Sequence, residues 1–168
     1  MILTISKSEI FKEVEKRSSL EGFVSPDVFD KVWANDSRSE LLDSYWIEGQ
    51  AAVIQLLKKY LNIETIEHSL TEYDGDEVFT ISVDMPERYN SLLDGNVSTD
   101  IKMLLACNIL TGWMNVVKPE SASKYSEESK GYSEDLRVKL LYRVEPKAAL
   151  STAKADDVEL AQEWGKCY

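Results

Sequence analysis

The sequence predicts a mostly α protein of the α+β class: a helical bundle of three to four helices with a small β-hairpin and an extended C-terminal tail. Three observations predict it. Two long stretches, DSRSELLDSYWIEGQAAVIQLLKKYL (36–61) and STDIKMLLACNILTGWMNVVK (98–118), repeat apolar residues at steps of three and four, the period of a helix face. Between them, apolar and polar residues alternate on both sides of Asp74-Gly75, the pattern of two strands closed by a tight turn. Beyond Pro146 the chain is polar and low in branched apolar residues, the composition of a tail. The domain is therefore expected over 1–146, with the hairpin near 65–84 and the tail over 147–168.

The elements follow in order. SKSEIFKEVEKRSS (6–19) opens a short first helix, with Ser6 or Ser8 as its cap and Ile10, Phe11 and Val14 as its apolar stripe. Gly22 and Pro26 break the chain, and PDVFDKVW (26–33) predicts one helical turn anchored by Val28, Phe29, Val32 and Trp33. Ser37-x-x-Glu40 is a capping box, in which each side chain satisfies a backbone N–H at the start of the next helix. Leu42, Tyr45, Trp46, Gly49, Ala52, Val53, Leu56, Leu57 and Tyr60 then form a stripe wide enough to meet more than one neighbour. Gly49 costs about 1 kcal/mol relative to Ala inside a helix, and a close helix–helix approach is the expected reason for it.

Ile66, His68 and Leu70 alternate before the turn, and Phe79, Ile81 and Val83 after it, which predicts antiparallel strands over about 65–72 and 77–84, closed by Pro86. The second long helix is expected to begin with Ser98 or Thr99 as its cap. It is apolar nearly all round, which predicts a place at the centre of the fold. Pro119 suits the first position of a third helix, and Ala122, Tyr125, Ser129, Tyr132 and Leu136 keep a three-four spacing. Leu136, Val138, Leu140, Tyr142 and Val144 also alternate strictly, a strand pattern. Helix through about Tyr142 is the expectation, with Pro146 ending the element either way.

Composition narrows the function. The 168 residues carry 19 Lys+Arg against 30 Asp+Glu, a net charge of −11 that opposes nucleic-acid binding, because that binding depends on neutralising phosphates. Cys107 and Cys167 lie far apart, so reduced thiols in a cytosolic setting fit better than a disulfide framework. The first residues lack the apolar core of a signal peptide. The run from 101 to 117 is too short and too polar to span a membrane, with Lys102, Asn108, Thr111 and Asn115 inside it.

No residue set predicts catalysis. His68 is the sole histidine and shares a strand face with Ile66 and Leu70, a structural position more than a catalytic one. YDGDE (73–77) clusters carboxylates but lacks the spacing of a calcium loop, and a solvated turn explains it. Short-spaced Cys/His pairs for zinc and glycine-rich phosphate loops are absent from the sequence, so no catalytic, cofactor-binding or metal-ligating residue is assigned and no cofactor is expected. Cys107 reads as a small core residue. Aromatic residues spread along every helix and the tail, and Tyr and Trp are enriched at protein–protein interfaces. The interface candidates are Trp33, Tyr45, Trp46, Tyr142, Arg143, Trp164 and Tyr168.

The segments VWANDSRSELLDSYWIEG (32–49), FTISVDMPERYNSLLDGNVSTDIKMLLACNILTGWM (79–114) and KLLYRVEPK (139–147) resemble small structural proteins of Bacteroidetes phages and prophages. Shared features are an acidic helix start leading to Trp, an extended segment with Pro and Tyr, a helix ending in Trp, and a closing Tyr-Arg-x-x-Pro. The resemblance covers roughly residues 1–147. The layout is also similar to the head–tail connector, or adaptor, proteins of tailed phages. That resemblance implies a structural virion protein: a neck subunit in a homo-oligomeric, dodecameric ring beneath the portal, joining capsid to tail. It implies the portal protein and a tail or stopper protein as partners, DNA passing through without specific binding, and no membrane. It makes 147–168 a docking segment; ring assembly would bury exposed aromatics, so Trp164 and Tyr168 are expected to anchor that segment on a neighbour. It places the chain in the virion neck, and in the host cytoplasm during assembly. The longer segment after Pro119 and the acidic tail depart from the simplest adaptors, so adaptor, stopper and tail-completion protein stay open.

Two other classes remain. A small cytosolic enzyme or ligand-binding domain would need a buried carboxylate pair, such as Glu64/Glu67 or Asp84/Glu87, with raised pKa values. A regulator binding host nucleic acid is opposed by the charge.

Overall fold

A computed structural model describes residues 1–24, 29–34, 39–61, 70–73 and 76–143. Strand β1 (Ile2–Ser6) runs directly into helix α1 (Lys7–Val24), followed by the single turn α2 (Phe29–Val32) and the long α3 (Ser39–Leu57). Strands β2 (Leu70–Tyr73) and β3 (Asp76–Ser82) form the hairpin. A 3-10 turn at Ser91–Leu93 leads into α4 (Asp94–Val117), and α5 (Pro119–Leu141) closes the described chain. The mostly α fold with a β-hairpin is as the sequence predicts. The expected tail, the break at Pro146, the anchor Val28, the cap Ser37, His68 and the turn residues Asp74 and Gly75 lie outside the described residues.

Helix α4 is the axis. Its buried residues include Val97, Ile101, Leu105, Ala106, Ile109 and Met114, which point in every direction around the helix. Such a helix is stable only when wrapped by others. Antiparallel α5 covers one side, fastened by Lys139–Asp100 at one end and by the Ser129 hydroxyl donating to Asn108 at 2.6 Å nearer the middle. Antiparallel α3 covers another. A Cβ added at Gly49 would sit 3.3 Å from Leu105, which is the close approach expected for that glycine. Parallel α1 covers a third, with Glu9 bonded to Lys102 near its start and Glu21 paired with Lys118 near its end.

The sheet has three strands, in the order β1-β3-β2, all antiparallel. The hairpin was expected; β1 was not. Ile2-Leu3-Thr4-Ile5 is too short a run to stand out alone, yet Leu3 and Ile5 are buried while Ile2 is 74% exposed, the alternation of a half-buried edge strand. Its partners, Phe79 and Ile81 among them, are supplied from more than seventy residues away.

Two expectations need correction, and a third holds. Helix α1 runs to Val24, past the segment that predicts it. Helix α4 starts at Asp94, so neither Ser98 nor Thr99 is its cap. The entry is organised earlier by Asn90, whose side chain accepts from the Leu92 N–H at 3.1 Å, while Thr99 lies inside the helix and donates to the Gly95 carbonyl at 2.9 Å. Helix α5 does continue to Leu141, with Pro119 in its first turn; Leu136 and Leu140 are buried one turn apart while Val138 is 67% exposed. The helical period therefore overrides the strand-like alternation.

Two joints hold the edges. Trp46 is fully buried between Phe11 and Phe79, with ring centroids at 6.3 and 6.2 Å in edge contacts. Its indole N–H donates to Glu77 at 3.1 Å, and Lys7 bonds the other oxygen of that carboxylate at 2.6 Å. One side chain thus ties α3, α1 and the sheet together. Trp113 does the same for α2, donating to the Val32 carbonyl at 2.7 Å, while Ser18 accepts the Ala34 N–H at 3.0 Å.

Candidate functional site

The densest polar chemistry lies along the seam where α1 meets α4 and α5. Arg17 donates to Glu13 at 2.9 Å, one turn back on its own helix, and to Glu128 of α5 at 2.8 Å. The Cys107 thiol of α4 lies 3.7 Å from both Arg17 and Glu128. One turn further along α1, Glu21 accepts from Lys124 at 2.7 Å and Tyr125 at 3.3 Å, and pairs with Lys118 at 3.6 Å. Glu13, Arg17, Glu21, Lys124, Tyr125 and Glu128 edge an open cleft of about 460 Å³.

The electrostatics of the seam are those of closed pairs. The Arg17 guanidinium holds the Glu13 carboxyl below its ordinary range, and Lys124 does the same for Glu21. Burial works against the Arg17 charge, yet its bonds with Glu13 and Glu128 leave it more firmly protonated than usual. Burial pushes the Cys107 thiol up to about 12, Arg17 opposing and Glu128 adding to the effect. Such a thiol is protonated at neutral pH and a poor nucleophile. Burial, with Glu21 beside it, also raises the Tyr125 phenol. This arrangement clamps α1 onto the bundle.

A second groove, of about 490 Å³, runs between α3 and α5 with α4 as its floor. Ala52 and Leu56 line one wall, Leu104 and Asn108 the floor, and Lys130 and Arg137 the other wall. Tyr89 marks a third spot: burial, with Asp94 beside it, raises its phenol to about 12.

Exposed apolar residues are spread over the surface, Ile2 and Ile47 among them, and include a group at each end of the bundle. Leu20 is 56% and Phe23 69% exposed at the end of α1. Val138, Leu141 and Tyr142, at 67%, 64% and 54%, form a stripe at the end of α5 by their three- and four-residue spacing. Glu21–Lys118 places the first patch at the C-terminal end of α4, and Lys139–Asp100 places the second at its N-terminal end. The two lie roughly 27 Å apart along the axis at 1.5 Å per residue.

The interface candidates divide. Trp46 has no exposed surface and is corrected to a core residue, because the sheet and α1 close over it. Tyr45 is half-buried with its ring on α4 at Gly112, and Trp33 is half-buried beside α2. Tyr142 is exposed. Arg143 caps its own helix, donating to the Leu140 carbonyl at 2.7 Å and the Tyr142 carbonyl at 3.0 Å. Trp164 and Tyr168 lie outside the described residues. Asp84 and Glu87, one pair an enzyme reading would bury, are both exposed, and Glu64 and Glu67 lie outside the described residues. Cys107 is buried as expected, but its polar surroundings were not foreseen; no local pattern signals a contact made across three helices.

Among the described residues, no cluster of His, Cys, Asp and Glu could hold a metal ion, and no helix is long and apolar enough to cross a membrane. Compared with family models, with curated proteins and with solved structures, the chain finds no match.

Proposed function

We propose that this chain is a structural, self-assembling subunit, and specifically a head–tail connector of a phage neck. One observation carries the assembly part of the reading: two exposed apolar patches at opposite ends of the bundle, Leu20/Phe23 and Val138/Leu141/Tyr142. Different surfaces at opposite ends suit a head-to-tail contact, which generates a ring when the rotation closes. Patches of this kind on a polar surface mark interaction sites. The resemblance of segments 32–49, 79–114 and 139–147 to phage structural proteins supplies the neck. The surplus of acid suits a wall along which DNA slides without being gripped.

The test is the double substitution Leu141→Asp and Tyr142→Asp. Both side chains are exposed, so the fold tolerates the change. The variant stays folded by circular dichroism but is lost from purified particles. Incorporation at the normal level would overturn the assignment of this patch.

A further inference from the structure

The two edges of α5 are built differently. On the α1 side, charges pair across the cleft: Arg17 with Glu128 and Glu21 with Lys124. Each of these contacts joins an incoming helix to α5. On the α3 side the groove is of similar size, about 490 Å³, and α5 presents two cations, Lys130 and Arg137. The facing residues of α3, however, are neutral: Ala52, Gln55 and Leu56. Neither Lys130 nor Arg137 has an ion-pair or hydrogen-bond partner among the described residues, in a chain with 30 acidic side chains for 19 basic ones. Glu134 stands between them on the same wall and pairs with neither.

We propose that this groove seats an acidic amphipathic helix of a partner protein, its carboxylates on Lys130 and Arg137 and its apolar face on Ala52 and Leu56. The two cations are seven residues apart on α5, about two turns or roughly 10 Å along the axis, and carboxylates at the same spacing on a docked helix meet both. The floor is closed: Leu104 is 4% exposed, and the Ser129 hydroxyl donates to the Asn108 side chain at 2.6 Å. A polyanion such as DNA fits worse, because Glu134 repels a continuous phosphate chain while leaving room for spaced carboxylates. The proposal goes beyond the assembly reading and stands independently of it.

The probe is a fluorescein-labelled helical peptide of Leu, Ala and Glu, with Leu on one face and Glu at seven-residue spacing beside it. The control carries Lys in place of Glu. Fluorescence anisotropy with the full chain reads the binding. The Glu peptide binds and the Lys peptide does not. Lys130→Glu with Arg137→Glu weakens binding by about tenfold or more, since both charge contacts become repulsive, and leaves the thermal midpoint unchanged. Equal binding of the two peptides, or no loss in the charge-reversed variant, overturns the proposal. So does tighter binding of a DNA oligonucleotide at the same groove. Concentration-dependent self-association that the same variant abolishes would show the occupant to be another copy, and would overturn the partner assignment.

Discussion

Gly112→Ala probes the approach of α3 to α4 directly. A Cβ at Gly112 would lie 2.7, 2.8 and 3.0 Å from three atoms of the Tyr45 ring, closer than carbon atoms tolerate. Overpacking of this kind costs about 1–3 kcal/mol. Replacing glycine by alanine inside a helix returns about 1 kcal/mol. The net expectation is a loss of about 0–2 kcal/mol, which for a chain of this size lowers the thermal midpoint by up to about 8 °C. The sign of a single number this small decides little, so a cycle with Tyr45→Ala is the informative experiment. Without the ring the clash disappears, and Gly112→Ala then stabilises by about 1 kcal/mol. The coupling between the two positions is the clash itself, about 1–3 kcal/mol. Urea denaturation of the four proteins, followed by circular dichroism, measures it. Equal stabilisation by Gly112→Ala in both backgrounds would refute the contact, and with it the placement of Tyr45 on α4.

Two further expectations concern the seam. Arg17→Met leaves Glu128 without its cation beside a buried thiol, while Glu13 keeps Lys16 at 3.5 Å; it destabilises by about 1–3 kcal/mol, discounted from a fully buried pair because the side chains keep some solvent contact, and adding Glu128→Gln recovers part of the loss in denaturant titrations. Acid should loosen the same seam. Glu13 and Glu21 are depressed below the ordinary 4.5, so their contribution is fully present above that value and is lost as pH falls through the lower folded values. Thermal midpoints measured from pH 6 to pH 3 fall more steeply for the wild type than for Glu21→Gln, and parallel curves would contradict the pairing.

Much of the fold was legible because local pattern and tertiary demand agree. The stripe of α3, the all-round apolarity of α4 and the alternation of Phe79 and Ile81 in β3 each name their element without help. What escaped depends on partners distant in sequence. β1 is a strand because Phe79 and Ile81 arrive beside it. The start of α4 follows a 3-10 turn capped by Asn90, outside the apolar pattern that locates the helix. Trp46 resembles an interface residue by type, but its indole N–H is satisfied by Glu77 inside the chain. The seam was least visible of all. Arg17, Cys107 and Glu128 sit in separate helices, each with an unremarkable local context, and only the packing of α1 on α4 and α5 brings them together.

The central claim is that the chain is a structural component of a particle. Quantitative peptide mass spectrometry of virions purified after induction of a culture whose genome carries this sequence tests it most directly. The account predicts about a dozen copies per particle, the same number as the portal protein, as the resemblance to neck-ring subunits implies. Absence from virions, with abundant protein in the lysate, would contradict it.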